Sequence, residues 1–269
     1  MDFIDFITII ERDHTYQNPT SMAKLDLLVE YCQIEDGHRV LDIGCGKGWL
    51  LQRIAEQFAV KADGVELNPA FIKEGKDRLA RAHLKGEIAF HQVPASQFAG
   101  ELGTYDVCCC IGASFAIGTF EEMVAWLRRY VRPGGIMAIG DIYARKRSVP
   151  PQSAEHFCGG AVRTLQDTVQ WLNREGMTLV GLIDSSQDDW DRYESKHWRA
   201  ADAWARQNPN HPELHDFLER SERFKCNYLQ FDREALGWAL FVSRIPQYAH
   251  GRKRTKGRKA FTTRKSRHE

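Results

Sequence analysis

The sequence predicts an α/β fold: a mostly parallel, seven-stranded sheet with helices on both faces and a helical insertion before the last strand. Three observations carry this expectation. From residue 39 onward, short apolar runs alternate with amphipathic helical stretches, the rhythm of strands joined by crossover helices. The runs VLDI, DVCCCI and IMAI are almost wholly apolar, as strands buried on both faces require. A glycine-rich bend, VLDIGCGKGW (40–49), follows the first strand. In open parallel sheets, ligands sit at such carboxyl ends, where the strand order switches.

The elements follow in order. Residues 3–33 carry helical apolar patterning interrupted by HTYQNPTS, with the stronger helix over 22–32 (Leu25, Leu28, Val29, Cys32). A strand at 39–43 leads into a helix at 49–58 and a strand at 62–67. Asn68 as N-cap and Pro69 in the first turn open a helix reaching about residue 84. Strands are expected at 87–93 and 105–111, then a helix at 120–130. The turn Arg132-Pro133-Gly134-Gly135 delivers the chain into a strand at 136–141. A helix at 164–175 and a strand at 178–183 complete the alternation. The pattern then changes: two helices flank Asn208-Pro209-Asn210, and residues 237–244 return as the last strand.

Composition narrows the class. At 269 residues, 43% apolar and 27% charged, the chain has the make-up of an ordinary globular protein. Its net charge of +1 hides an asymmetry. Residues 252–269 hold nine Lys/Arg against one acid, and the preceding 251 residues hold 28 bases against 35 acids. No run approaches the roughly 18 apolar residues of a membrane span. The opening MDFIDFITIIERD lacks the basic and small-residue features of a secretory signal, so a cytoplasmic location is expected. The seven cysteines, Cys108, Cys109 and Cys110 among them, form no CxxC pair. They read as buried free thiols, and no metal site is expected from their spacing.

The bend excludes two phosphate-binding readings. A Walker A loop needs glycine where Leu41 stands and Ser or Thr where Gly48 stands. The dinucleotide fingerprint starting at Gly44 needs glycine where Trp49 stands, which leaves NAD as the weaker reading. What is present is D-x-G-x-G-x-G, Asp42 to Gly48, with an acid, Glu66, at the end of the second strand. A carboxylate there accepts the hydroxyls of a ribose. Asp42 is a poor neighbour for pyrophosphate and a good one for a ligand bearing ammonium and sulfonium charges.

Together these residues resemble the class I S-adenosylmethionine (SAM)-dependent methyltransferases. VLDIGCGKG is similar to that family's first motif and GVELNPAFI to its second, while YDVCCCIGAS and LRRYVRPGGIMAIGD match later ones. The resemblance spans about residues 36–183 plus the final strand, and is strongest to the small-molecule branch that includes quinone-biosynthesis enzymes. It implies a Rossmann-like class I methyltransferase fold. The organisation expected is an N-terminal helical cover (1–34), a SAM-binding core (35–183), a helical lid (184–234), a final core strand (235–246) and a basic disordered tail (247–269).

The resemblance also implies site roles. Gly44, Cys45, Gly46 and Gly48 lie against the methionine part of SAM, Asp42 holds its amino group, and Glu66 holds its ribose. Leu67 covers the adenine, and Ile111 lines the path to the sulfonium. Where the family places an acid for the adenine amine, this chain has Pro94, so Ala95 or Ser96 is expected to take that part, or Gln97. A lost hydrogen bond to a charged group costs about 1.5–3 kcal/mol.

Methyl transfer needs alignment more than covalent help. Where the acceptor must lose a proton, Asp141 at the end of the fifth strand is the candidate base; it also reads as a cap. Trp190, Tyr193, His197, Ala201 and Trp204 fall on one helical stripe, either simple packing or an aromatic wall for the acceptor, with His197 a second candidate. Asp188 and Asp189 read as caps of that helix. Tyr16, with His14 and Asn18 beside it, is expected to fold over the site, and Ser114 to contact ligand. The expected activity is methyl transfer to a small-molecule acceptor, yielding S-adenosylhomocysteine. The alternatives are an RNA methyltransferase using weak nucleic-acid contacts of residues 252–269, or a SAM-binding protein without catalysis. A thiol chemistry involving Cys45 and Cys158 has no spacing in its favour.

Overall fold

A computed structural model describes residues 1–147, 149–150 and 162–247. Cys158 and the basic stretch 252–269 lie outside the described residues. Seven strands form one sheet: β1 (Arg39–Ile43), β2 (Lys61–Val65), β3 (Glu87–His91), β4 (Tyr105–Ile111), β5 (Val131–Ala144), β6 (Thr178–Asp184) and β7 (Leu236–Arg244). Their order is β3-β2-β1-β4-β5-β7-β6, with β7 antiparallel to both neighbours and the other pairings parallel. This is the Rossmann-like architecture expected from the alternation. The order reverses between β1 and β4, beside the glycine bend.

β4 shows how a run of small apolar residues satisfies two cores at once. Val107, Cys109 and Ile111 join the cluster on one face of the sheet, where α2 (Met22–Tyr31) and α3 (Trp49–Gln57) lie. Tyr105, Cys108 and Cys110 join the cluster on the other, under α5 (Phe120–Leu127) and α6 (Leu165–Arg174). The alternation of strand side chains imposes this division. Among the described residues all six cysteines are free, and burial pushes the thiols of Cys45, Cys108 and Cys110 upward.

Several expected boundaries move. The helix opened by Asn68 and Pro69, α4, ends at Leu79 rather than near 84: the N–H groups of Arg81 and Ala82 turn to the carbonyls three residues back, and those of Lys85 and Gly86 donate to the Ala55 carbonyl. β5 is longer than expected at both ends. Antiparallel pairing with β7 carries it to Ala144, and its start runs through Pro133-Gly134-Gly135. At the amino terminus, α1 (Phe3–Ile10) is N-capped by Asp2, whose carboxylate accepts the Asp5 N–H. Between β6 and β7 come α7 (Gln187–Gln207) and α8 (Leu214–Asn227). Ser186, rather than Asp188 or Asp189, is the N-cap of α7; Asp189 completes its capping box and also binds Lys24 and Arg192. The buried face of α7 lies against α1 and α8, with Phe6, Ile10, Ala201 and Phe217 forming a separate small core.

Candidate active site

The bend after β1 is built on backbone. The N–H groups of Gly44 and Cys45 both donate to the Val65 carbonyl, at 2.8 and 3.1 Å, and the Gly46 N–H donates to Glu66 Oε2 at 2.9 Å. Gly44 has φ +67°, and a Cβ there would collide with the Ala113 methyl group, so the position admits no other residue without strain. Glu66 Oε1 accepts the Asn68 N–H at 2.8 Å, so the acid ties the bend to the start of α4. Burial raises the pKa of Glu66.

A narrow crevice opens at this bend, lined by Tyr16, Gln17, Asn18, Leu25, Asp42, Gly44, Cys45, Trp49, Leu50 and Ile111. Two buried polar atoms in its walls have no hydrogen-bond partner: Asp42 Oδ1 and Gln17 Nε2. One is an acceptor and the other a donor, the complement of an ammonium and a carboxylate on a single amino-acid group. Asp42 carries a pKa pushed up to about 7, first by burial and then by Glu66. An ammonium would relieve that penalty. The residues therefore fit the amino-acid half of SAM.

The second space is larger. A cavity of about 470 Å³ lies over the ends of β4 and β5 and beneath α1, α7 and α8. Phe6, Phe120, Trp190, Trp198, Tyr228 and Trp238 give it an aromatic wall, and Asp141, Ser114 and Tyr193 also face it. Gln17 and Asn18 line both spaces, so the cavity and the crevice are neighbours across these two residues.

One wall holds a charged cluster. Glu11, 4% exposed, accepts from the Tyr193 hydroxyl at 2.6 Å and binds His197 Nε2 at 2.8 Å, both through Oε1. His14 Nδ1 lies 3.1 Å from Glu11 Oε2. Burial opposes ionisation of Glu11, but His197 and then His14 outweigh it and hold its pKa low. Burial likewise opposes the imidazolium of His197, yet Glu11 pushes its pKa up to about 10. Both ring nitrogens of His197 face carboxylates, Nε2 that of Glu11 and Nδ1 that of Glu194. His14 titrates low, chiefly because it is buried. Asp141 is raised by burial, and its Oδ1 accepts its neighbour Ile142's N–H at 2.7 Å.

The methyltransferase-domain family profile matches residues 40–135. A SAM-dependent methyltransferase of Geobacter sulfurreducens, solved in complex with S-adenosyl-L-homocysteine, superposes with a TM-score of 0.82 at 27% identity, covering 90% of this chain and 98% of that one. The chain carries a methyltransferase domain and has the fold of the class I SAM-dependent methyltransferases. This methyltransferase is also 28% identical over 247 residues to the Escherichia coli protein YjhP, covering 90% of this chain and 98% of YjhP. To the 27-O-demethylrifamycin SV methyltransferase of Amycolatopsis mediterranei it is 24% identical over 231 residues, 82% of each chain. SAM is its cofactor, and among the described residues no helix is long and apolar enough to cross a membrane.

The methyltransferase distributes the residues singled out in its sequence unevenly. Asp42, Gly44, Cys45 and Ile111 meet in the crevice. Tyr16 and Asn18, expected to fold over the site, line the same crevice, because the segment after α1 runs across the bend. Leu67 and Ser96 are exposed, while Ala95 is buried behind Pro94. Sequence reasoning missed Glu11, Gln17 and Lys47. The Lys47 ammonium is 1% exposed and donates to the carbonyls of Glu11, Arg12 and His14 at 3.3, 3.1 and 2.8 Å, pairing with Glu74 at 2.8 Å. A lysine between two glycines of the bend was the signal available for it, but nothing in the sequence says that it points toward α1.

Proposed function

We propose that this methyltransferase acts on a small, largely apolar or aromatic molecule held in the cavity beneath α7 and α8. The observation that supports this reading is that Gln17 and Asn18 line both the cavity and the crevice, which sets the aromatic wall next to the cofactor space. An acceptor stacked in the aromatic wall is presented to the methyl group in a site that excludes water, which is the main requirement of the transfer. Cofactor contacts are assigned to Asp42, Gln17, Glu66 and the bend Gly44–Cys45–Gly46–Gly48, with Leu67, Ala95 and Ser96 toward the nucleoside and Ile111 toward the sulfonium. Asp141, half-buried and with its pKa raised by desolvation, would take a proton from the acceptor, with Ser114 beside it on the cavity wall. Similarity to a methyltransferase named for a rifamycin substrate supports a small-molecule acceptor; a quinone-type acceptor would suit the same wall.

The test is an acceptor panel of phenols, quinols, amines and thiols incubated with SAM, scored by S-adenosylhomocysteine release and by product mass. Turnover should appear with an apolar aromatic member, persist when residues 252–269 are deleted, and fall at least tenfold in Trp190→Ala. Transfer to bulk RNA alone, abolished by that deletion, would overturn the reading. So would SAM binding with no transfer to any acceptor.

A further inference from the structure

We propose that Glu11, His14 and His197 form a binding site for one divalent first-row transition cation at the wall of the cavity. One ligand atom from each lies within 4.8 Å of the others. Bonds of about 2.0–2.2 Å let a zinc-type ion span ligand pairs roughly 4 Å apart, so small side-chain shifts close the site.

The hydrogen bonds around the cluster point the same way. His14 Nε2 lies 2.9 Å from the Tyr193 carbonyl, which only accepts, so Nε2 carries the hydrogen. In neutral His14, Nδ1 then presents a bare lone pair to Glu11 Oε2 at 3.1 Å. Both atoms are buried and neither makes a hydrogen bond. Two acceptors facing each other in a dry site call for a cation between them. His197 has the matching arrangement: Nε2 faces Glu11, and Nδ1 lies 3.4 Å from Glu194 Oε2. Each imidazole is thus fixed through its outer nitrogen by a carbonyl or carboxylate, as metal-bound histidines are. The ion takes the place of the proton that Glu11 and His197 otherwise share. Two imidazoles and one carboxylate favour zinc, iron or cobalt over magnesium or calcium.

Glu11 and His197 both line the cavity, so the ion's remaining positions open onto it. An acceptor carrying a hydroxyl or thiol is the class it would hold; this clause alone rests on the proposed function. The ion site itself is independent of catalysis.

The experiment uses untagged full-length protein, stripped with chelator and titrated with Zn²⁺ by calorimetry and with Co²⁺ by absorption. SAM binding serves as the check of folding for every variant. One ion should bind per chain, with Co²⁺ giving the intense visible bands of low-coordinate cobalt. Affinity should be lost in His14→Ala and should fall about 10–100-fold in Glu194→Ala, which keeps all three ligands and removes the outer partner of His197 together with its bond from Trp190 Nε1. Folded wild-type protein that takes up neither ion, or that binds no better than His14→Ala, would overturn the site. Ion binding without any methylated acceptor would overturn the proposed function and leave the site standing.

Discussion

The crevice and the cavity are built on opposite plans. The crevice is mostly backbone from one stretch of chain: Asp42 to Gly48 bend around a φ that only glycine takes without strain, and Glu66 arrives on the adjacent strand. The cavity is mostly side chains from separated elements, with Glu11 and His197 186 residues apart. A cofactor shared by many enzymes can be met by main-chain geometry, whereas the acceptor proposed for the cavity would be met by side chains on α1, α7 and α8. The first plan tolerates little change at a few positions. The second rests on a charged network whose members depend on one another.

Removing one member of that network should have the largest effect. Glu11→Ala leaves His197 and His14 buried without their carboxylate, and breaking such a buried pairing costs about 3–5 kcal/mol. Urea unfolding should show the loss; an effect below about 1 kcal/mol would mean that the cavity wall is as forgiving as a surface. Gly44→Ala comes next, at about 2–4 kcal/mol from the left-handed φ and the contact with Ala113. It should remove SAM binding in calorimetry even where the protein still folds. A variant that binds SAM normally would show that the bend is not read through its backbone.

The smallest effect concerns pH. The pKa of Asp42, about 7, stands above its ordinary 3.8, with Glu66 and the Cys45 thiol the titratable neighbours. Its contribution to stability is therefore complete below about pH 3.8 and is lost as pH rises through about 7. SAM reverses the preference, because its ammonium favours the ionised carboxylate. Affinity for SAM should rise roughly tenfold between about pH 6 and pH 7.5, and Asp42→Asn should flatten the slope. A wild-type affinity that does not change over that window would remove Asp42 from the ammonium.

The same contrast explains what could be read in the sequence. β1 and β4 fall on the residues expected of them, because strands buried on both faces leave a continuous apolar record. So does the glycine bend, whose conformation is written in its residue types. The far end of α4 and the length of β5 depend on partners elsewhere, Ala55 and β7, and carry no local mark. Trp190 and Tyr193 were found as a stripe and do face the cavity, but the stripe did not say that Glu11 would meet His197 there. A contact between the first helix and the seventh has no period to betray it.

Lys47 joins the two plans. Its ammonium gathers the carbonyls of Glu11, Arg12 and His14, so the segment bearing two of the three cluster residues hangs from the middle of the glycine bend. A movement of that bend would carry this segment, and with it one wall of the cavity. One buried ammonium thus fastens two spaces together, so that displacing either would pull on the other.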